Sequence, residues 1–389
     1  MNRFCSIFSQ LLKLFPRLEF DGLVKAHRAE QHARGFTCWE QFVAMLFCQL
    51  GRAQSLREIC GGLASCEGKL VHLGMATAPR KSTLAYANAH RPWQLYRAVF
   101  TALLARCQAE VARHGRKFRF KNKLLSLDAT TIELCASLFD WAKFRRTKGA
   151  VKLHLVLDHD GYLPSVAVIT DGKHADVRVA RRLRFAPGTI LVMDRGYLDF
   201  AWFGQLAAQE VFFVTRPKLN TAYEVVETRP VVERSLIVAD EIIRLTGEQA
   251  RRDCPGLLRR IEVVVPESGE LLTLLTNHLG FAATTVAAIY KDRWQIELLF
   301  KALKQHLRIK TFVGTSATAL HIQIWTALIA LLILRYLQLR ARFTWSFSNL
   351  AALLRMNLFV HRDLWRWLDQ PFAAPPDIPE TVQTEFAFA

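Results

Sequence analysis

Hydrophobic and polar positions change rhythm twice along the chain. From the start to about residue 110, apolar residues recur at helical spacing. Thr37-Cys-Trp-Glu40 has the form of a capping box and opens an apolar-periodic run through Leu50. Ser55-Leu-Arg-Glu58 opens a second short helix, stopped by Gly61-Gly62. Ser82-Thr83 can cap a third, residues 84–91, behind the basic Pro79-Arg80-Lys81. Short helices between Gly-rich turns suit a helix-turn-helix-like DNA-binding unit or a generic helical bundle.

At Leu124 the rhythm becomes that of strands. Leu124-Leu-Ser-Leu-Asp128 comes first, with Asp128 expected at its end. Residues 151–157 alternate and run into Asp158-His-Asp-Gly161, a hairpin turn from which residues 162–170 pair back. The Asp-His-Asp run has metal-ligand residue types, but Asp-Gly between two strands reads as a turn. A helix near residues 176–183 is followed by the buried strand Thr189-Ile-Leu-Val-Met-Asp194, which ends in Arg195-Gly196-Tyr197. Another helix (about 199–209) and the strand 211–215 complete a mixed α/β sheet. Residues from about 217 to 277 form a separate section, with strand-like pieces at 225–226, 231–232, 242–243, 261–265 and 271–276. This reads as a β-rich insertion.

The second change of rhythm brings back helices. Taken as one helix at about 100° per residue, Tyr290, Arg293, Glu297, Lys301 and Lys304 share an arc of roughly 80°. Trp294, Ile296, Leu298, Leu299, Phe300 and Leu303 fill most of the remaining surface, so the helix reads as mostly buried. A polar stripe on such a helix is costly unless it lines a site. Farther on, residues 322–334 form an apolar run shorter than the ~20 residues a bilayer needs, which points to a buried core helix. Pro371, Pro375, Pro376 and Pro379 mark a loose tail.

Charge adds a partner to this outline. The chain of 389 residues carries 52 Lys+Arg against 34 Asp+Glu, a net charge of +18. Such a surplus favours a polyanion, usually nucleic acid. Residues 1–123 hold 20 Lys+Arg and 7 Asp+Glu. The tract Arg113, Arg116, Lys117, Arg119, Lys121 and Lys123 closes that region without an acid, as either a solvated linker or a DNA-backbone contact. The eight cysteines show no CxxC spacing and no zinc set, and their apolar contexts fit buried thiols in a reducing cytoplasm. Lys13, Arg17 and Glu19 break up the first apolar run, which argues against a signal peptide.

Asp128, Asp194 and Glu297 are the candidate chemistry. Carboxylates at strand ends sit where open α/β sheets bind ligands. Three of them beside cations suit hard metal ions, and two Mg²⁺ ions can drive phosphoryl transfer. Arg293, Lys301 and Lys304 would hold the phosphate chain by charge.

The spacing of Tyr290, Arg293, Glu297 and Lys304 resembles the Y-R-E-K signature of bacterial insertion-sequence transposases of the DDE type. Leu-Asp128-Ala-Thr-Thr and Met-Asp194-Arg-Gly-Tyr are similar to that family's first and second acidic motifs. The resemblance spans most of the chain through Lys304 and implies an α/β fold. It implies a ribonuclease-H-like catalytic core (121–314) interrupted by the β-rich insertion, a helical N-terminal DNA-binding domain (1–120) and a helical C-terminal region (315–389). It also implies cut-and-paste transposition of double-stranded DNA by a cytoplasmic, nucleoid-associated homodimer, with Mg²⁺ as cofactor and Mn²⁺ as a substitute. By position, Asp128, Asp194 and Glu297 would ligate metal and catalyse. Tyr290, Arg293, Lys301 and Lys304 would contact DNA. Trp294 follows the Arg as in some relatives, or is a core aromatic. Relatives that cut through a DNA hairpin are thought to hold a flipped base with a Trp in the insertion, but residues 217–277 contain none, and Tyr223 is the only aromatic there. The alternatives are a catalytically inactive DNA-binding descendant and a nuclease that hydrolyses without joining.

Overall fold

The computed structural model describes residues 5–373 apart from 32, 34, 67, 116, 136–142, 146–147, 174, 233–234 and 308–311; the side chains of 135, 143–145 and 148 are not described. Arg116 of the basic tract and Pro375, Pro376 and Pro379 of the tail lie outside these residues.

The N-terminal region is helical: α1 (Ile7–Leu12), α2 (Arg17–Ala26), α3 (Cys38–Leu50), α4 (Leu56–Ala64), α5 (Lys81–His90) and α6 (Gln94–Val111). The capping box of α3 forms as the sequence suggests. The Thr37 side chain accepts from the Glu40 N–H, and Glu40 accepts from the Thr37 N–H at 2.8 Å. Ser55 caps α4 by accepting from the Glu58 N–H, while Glu58 accepts from the Gln54 N–H rather than closing the box. The third start differs. Arg80 is extended and α5 begins at Lys81, ahead of Ser82, with no side-chain cap. Residues 65–80 separate α4 from α5, too long for the three-to-four-residue turn of a helix-turn-helix. These helices pack as members of a bundle.

The sheet begins with β1 (Leu124–Cys135), β2 (Lys143–Arg145), β3 (Lys148–Asp158) and β4 (Leu163–Asp171). The predicted hairpin is present: β3 and β4 pair antiparallel, and Gly161 in the turn has φ +75°. A Cβ there would also meet Val111 at 2.3 Å, so glycine is needed twice over. After α7 (Asp176–Ala180), β5 (Ile190–Met193) runs parallel to β1; after α8 (Phe200–Ala208), β6 (Phe212–Thr215) runs parallel to β5.

The section before the last helices contains β7 (Tyr223–Thr228), β8 (Ile237–Leu245), α9 (Glu248–Asp253), β9 (Leu258–Val264) and β10 (Leu271–Thr276). Residues 231–232 lie in the connection from β7 to β8 and form no strand. These strands continue the same sheet, in the order β2-β3-β1-β5-β6-β10-β9-β8-β7, with β4 also on β3. Arg259 on β9, 2% exposed, clamps Asp240 on β8 with two hydrogen bonds of 2.7 and 2.6 Å. It also donates to the carbonyls of Leu279 and Phe281, just ahead of the next helix.

Then come α10 (Ala283–Asp292), α11 (Trp294–His306), α12 (Ala317–Arg340), α13 (Phe347–Asn357) and α14 (Leu364–Asp369). The predicted 13-residue apolar run is the middle of the 24-residue α12. It is long and apolar enough to cross a bilayer, but 83% of its most apolar window is buried. Its neighbours α3, α5, α6, α13 and β4 account for that burial.

Strand alternation sorts the core into layers. Leu191 and Met193 face Tyr197 and, through Trp202 and Phe203, α8. Ile190 and Val192 face α10 through Val286 and Ile289. Ile132, Leu153 and Leu155 join the large core of α3, α6, α11 and α12. Cys38 and Cys107 are buried there, which pushes both thiols up to about 12.

Candidate active site

Asp128 is not at a strand end. The β-branched run after it keeps β1 paired with β3 as far as Cys135. Its parallel pairing with β5 does stop, at Leu127 opposite Met193. Asp128 and Asp194 are thus the next residues on adjacent parallel strands, on the face that carries α10 and α11. Asp128 Oδ1 accepts from the Ala129 N–H at 2.7 Å, and Asp194 Oδ1 accepts from the Gly196 N–H at 2.9 Å. The Thr215 hydroxyl donates to the Asp194 carbonyl at 3.1 Å.

The helix that carries Glu297 is not continuous. Arg293 caps both the end of α10 and the start of α11, and two tightened turns flank it, Arg293 N–H to the Tyr290 carbonyl and Ile296 N–H to the Arg293 carbonyl, both at 3.1 Å. Trp294, the first residue of α11, is 55% exposed, and Leu298, one turn on, is exposed too. The expected burial holds at Ile296, Leu299, Phe300 and Leu303, whereas the single helix and Trp294 as a core aromatic are corrected.

Arg293 sits among the acids. Its guanidinium bonds Glu297 at 2.6 Å, lies 3.9 Å from Asp128 and stands 5.6 Å from the centre of the Tyr290 ring. Tyr290 is buried, and burial raises its phenol pKa above the ordinary value. Glu297, Lys301 and Lys304 line an open cleft of about 450 Å³ with Asp128, Thr130 and Phe300. On the other side of Arg293, Tyr290 and Trp294 line a second pocket of about 470 Å³ with apolar walls from Ile237, Val263 and Leu272.

Burial, chiefly, pushes the Asp128 carboxyl from 3.8 up to about 6; Asp194 and Glu297 add to the rise, while the Ala129 N–H and Arg293 oppose it. A raised acid pKa means that the folded chain holds this proton more tightly than the unfolded one. The fold is therefore penalised above about pH 6 and relieved as pH falls toward 4. Asp128→Asn is expected to stabilise the metal-free protein by roughly 2 kcal/mol at pH 7.5, with the gain fading between pH 6 and 4. Urea melts across that range check it.

The donor set is three hard oxygen carboxylates, the chemistry that suits a divalent cation. Among the described residues, however, no group of three His, Cys, Asp or Glu is close enough to enclose one. Arg293 is the cation that answers Glu297 here.

Several neighbours escaped the sequence reading. Tyr197, from the second acidic motif, is 2% exposed beneath the two aspartates, and burial followed by the charges of Asp128, Asp176 and Asp194 keeps it a neutral phenol. His159, seen only as a turn residue, points inward to Asp292. Lys117 and Lys123 of the basic tract are held in ion pairs, Lys117 with Asp292 and Lys123 with Asp158 and Asp160. Tyr223 lies on the outer edge strand β7, with Arg260 over its ring, four strands away from β6.

Comparison with known proteins identifies the family. Residues 119–333 match the family described as Transposase DDE domain, and residues 5–76 match a domain of unknown function (DUF4372). The chain is 33% identical over 312 residues to the putative transposase y4zB of Sinorhizobium fredii, covering 79% of this chain and 85% of that one. It is 25% identical over 340 residues to the probable transposase for insertion sequence element IS5377 of Geobacillus stearothermophilus, covering 87% and 86%. A solved structure of the piggyBac transposase synaptic complex with hairpin DNA aligns with a TM-score of 0.44 at 10% identity, over 98% of this chain and 88% of that one. With an α/β sheet carrying paired aspartates beneath a glutamate helix, the chain belongs to the transposase DDE domain family and is a DNA transposase of the insertion-sequence type.

Proposed function

We propose that this transposase cleaves the ends of its element and joins the 3′-hydroxyls to target DNA, with Asp128, Asp194 and Glu297 as the catalytic, metal-holding acids. The observation that carries the reading is the side-by-side placement of Asp128 and Asp194, with Glu297 close enough to raise the Asp128 pKa. Mg²⁺, with Mn²⁺ as a substitute, would be held by these three carboxylates and would activate the attacking oxygen and stabilise the leaving one.

The protein's own residues do the rest. Lys301 and Lys304 line the cleft beside Asp128 and Glu297 and attract the phosphate chain into it. Arg293 and Tyr290 bind the phosphates next to the cut bond, the guanidinium by charge and the phenol as a neutral donor. Trp294 lies exposed against an apolar pocket. We assign to it, rather than to Tyr223, the stacking of an unpaired base in a hairpin route. End recognition is assigned to the helical region 1–120, where Lys81 is exposed and Tyr86, 68% exposed, stacks on His90 at the start and side of α5. Two copies would hold the two ends, in the cytoplasm at the nucleoid.

The test is a cleavage and strand-transfer assay on duplexes that end in the inverted repeats flanking the gene. Mg²⁺-dependent cutting at the repeat ends, and joined products with a target plasmid, are expected. Binding without any cutting in Mg²⁺ or Mn²⁺ would support the non-catalytic reading, and cutting without joined products the nuclease one.

A further inference from the structure

Ser126, His159 and Asp292 form a buried chain of hydrogen bonds. Ser126 Oγ lies 2.7 Å from His159 Nε2, and His159 Nδ1 lies 2.7 Å from Asp292 Oδ2. An ionised Asp292 can only accept, so His159 donates to it from Nδ1 and turns Nε2 toward the Ser126 hydroxyl. Lys117 Nζ at 2.5 Å and the Tyr162 hydroxyl at 3.2 Å also donate to Asp292. The residue types are those of a hydrolytic triad, but Ser126 is fully buried in the middle of the sheet, where no substrate reaches it. The chain therefore needs another account.

Its position supplies one. Asp292 is the last residue of α10, and Arg293 is the break between α10 and α11. Arg293 keeps helical backbone angles (φ −51°, ψ −33°), but the ladder there runs through the two tightened turns. Ser126 is two residues before Asp128 and on the same face of β1. Two hydrogen bonds, two stretches of backbone and one ion pair thus close a circuit, from Asp128 along β1 to Ser126, across His159 to Asp292, through the break to Arg293 and back to Asp128 at 3.9 Å. A hairpin turn requires no buried histidine; one that is 6% exposed persists because both ring nitrogens are engaged.

We propose that Ser126, His159 and Asp292 are positioning residues for DNA cleavage, holding the helix break so that Arg293 and Tyr290 face Asp128. This rests on the reading of Asp128 and Arg293 as parts of the reacting centre. The chain touches neither metal nor DNA and acts only through Arg293 and Tyr290.

The test is a double-mutant cycle on the full-length protein, read by single-turnover cleavage of a repeat-ended duplex in Mg²⁺ and by binding of the same duplex. His159→Gln and Asp292→Asn are expected to slow cleavage about 10- to 100-fold, as loss of supporting hydrogen bonds commonly does, with duplex affinity within about threefold of wild type. Arg293→Ala slows cleavage too, and adding His159→Gln to it is expected to slow it clearly less than His159→Gln slows the wild type, the remainder acting through Tyr290. Ser126→Ala removes a single hydroxyl and keeps the test valid if the other variants do not fold; a loss of about fivefold is expected, again smaller in the Arg293→Ala background. Cleavage by the folded variants within twofold of wild type, or a loss that multiplies fully with that of Arg293→Ala, overturns the proposal while leaving the proposed catalysis standing. Undiminished cleavage by Arg293→Ala overturns the reading of Arg293 itself, and with it this proposal.

Discussion

Glu297→Gln is expected to lower metal-dependent cleavage by on the order of a thousandfold or more, while binding of the transposon end is kept or tightened. The change preserves shape and removes one charge. It takes a carboxylate from the set that would hold the metal, so the loss falls on the chemical step. It also frees Arg293, which Glu297 holds at 2.6 Å, to meet a phosphate. Binding and catalysis should therefore move in opposite directions, which unfolding would not produce. Asp194→Asn, which has no such partner among the described residues, is expected to lose cleavage with affinity unchanged. End-binding titrations beside single-turnover cleavage check both; full cleavage by either variant would remove that residue from the catalytic set.

Arg259→Ala is expected to destabilise the fold by roughly 3–5 kcal/mol. Arg259 and Asp240 are 2% and 5% exposed and pair through two hydrogen bonds, so truncation strands a carboxylate in the sheet. It also releases the Leu279 and Phe281 carbonyls at the entry to α10. The double replacement Arg259→Met with Asp240→Leu is expected to recover most of the loss, because an apolar pair leaves no buried charge behind. Urea unfolding of the three variants measures it, and a single-variant loss below about 1 kcal/mol would contradict the buried-charge account.

Much of this could be read from the sequence, for physical reasons that differ by element. The capping box at Thr37 and Glu40 and the Asp-Gly turn at residues 160–161 are local hydrogen-bond solutions, and both form. The two aspartates were found because apolar strands lead directly into them. The extent of β1 was hidden, because what stops at Asp128 is its pairing with β5, a partner more than sixty residues away, and not the strand. The break at Arg293 was hidden for a related reason. Residues 283–306 contain no proline or glycine, so periodicity runs straight through the point where the ladder tightens. Trp294 is exposed because it shares one side of α11 with Leu298 and Lys301, at i, i+4 and i+7. His159 was masked by its own turn, since the signal for a hairpin says nothing about where a neighbouring side chain points. Only the fold shows that Asp292, 133 residues later, waits for it.

The continuous sheet has a consequence for how such enzymes can vary in size. β10, the strand that leads back toward Glu297, pairs directly with β6, while β9, β8 and β7 are laid down outward from it. Hairpins can therefore be gained or trimmed at the β7 edge, as rows are added to the margin of a woven cloth, without moving the inner strands where the two aspartates sit. Length variation among relatives should collect at that margin, and a deletion reaching inward to β10 should be the first one the chemistry does not survive.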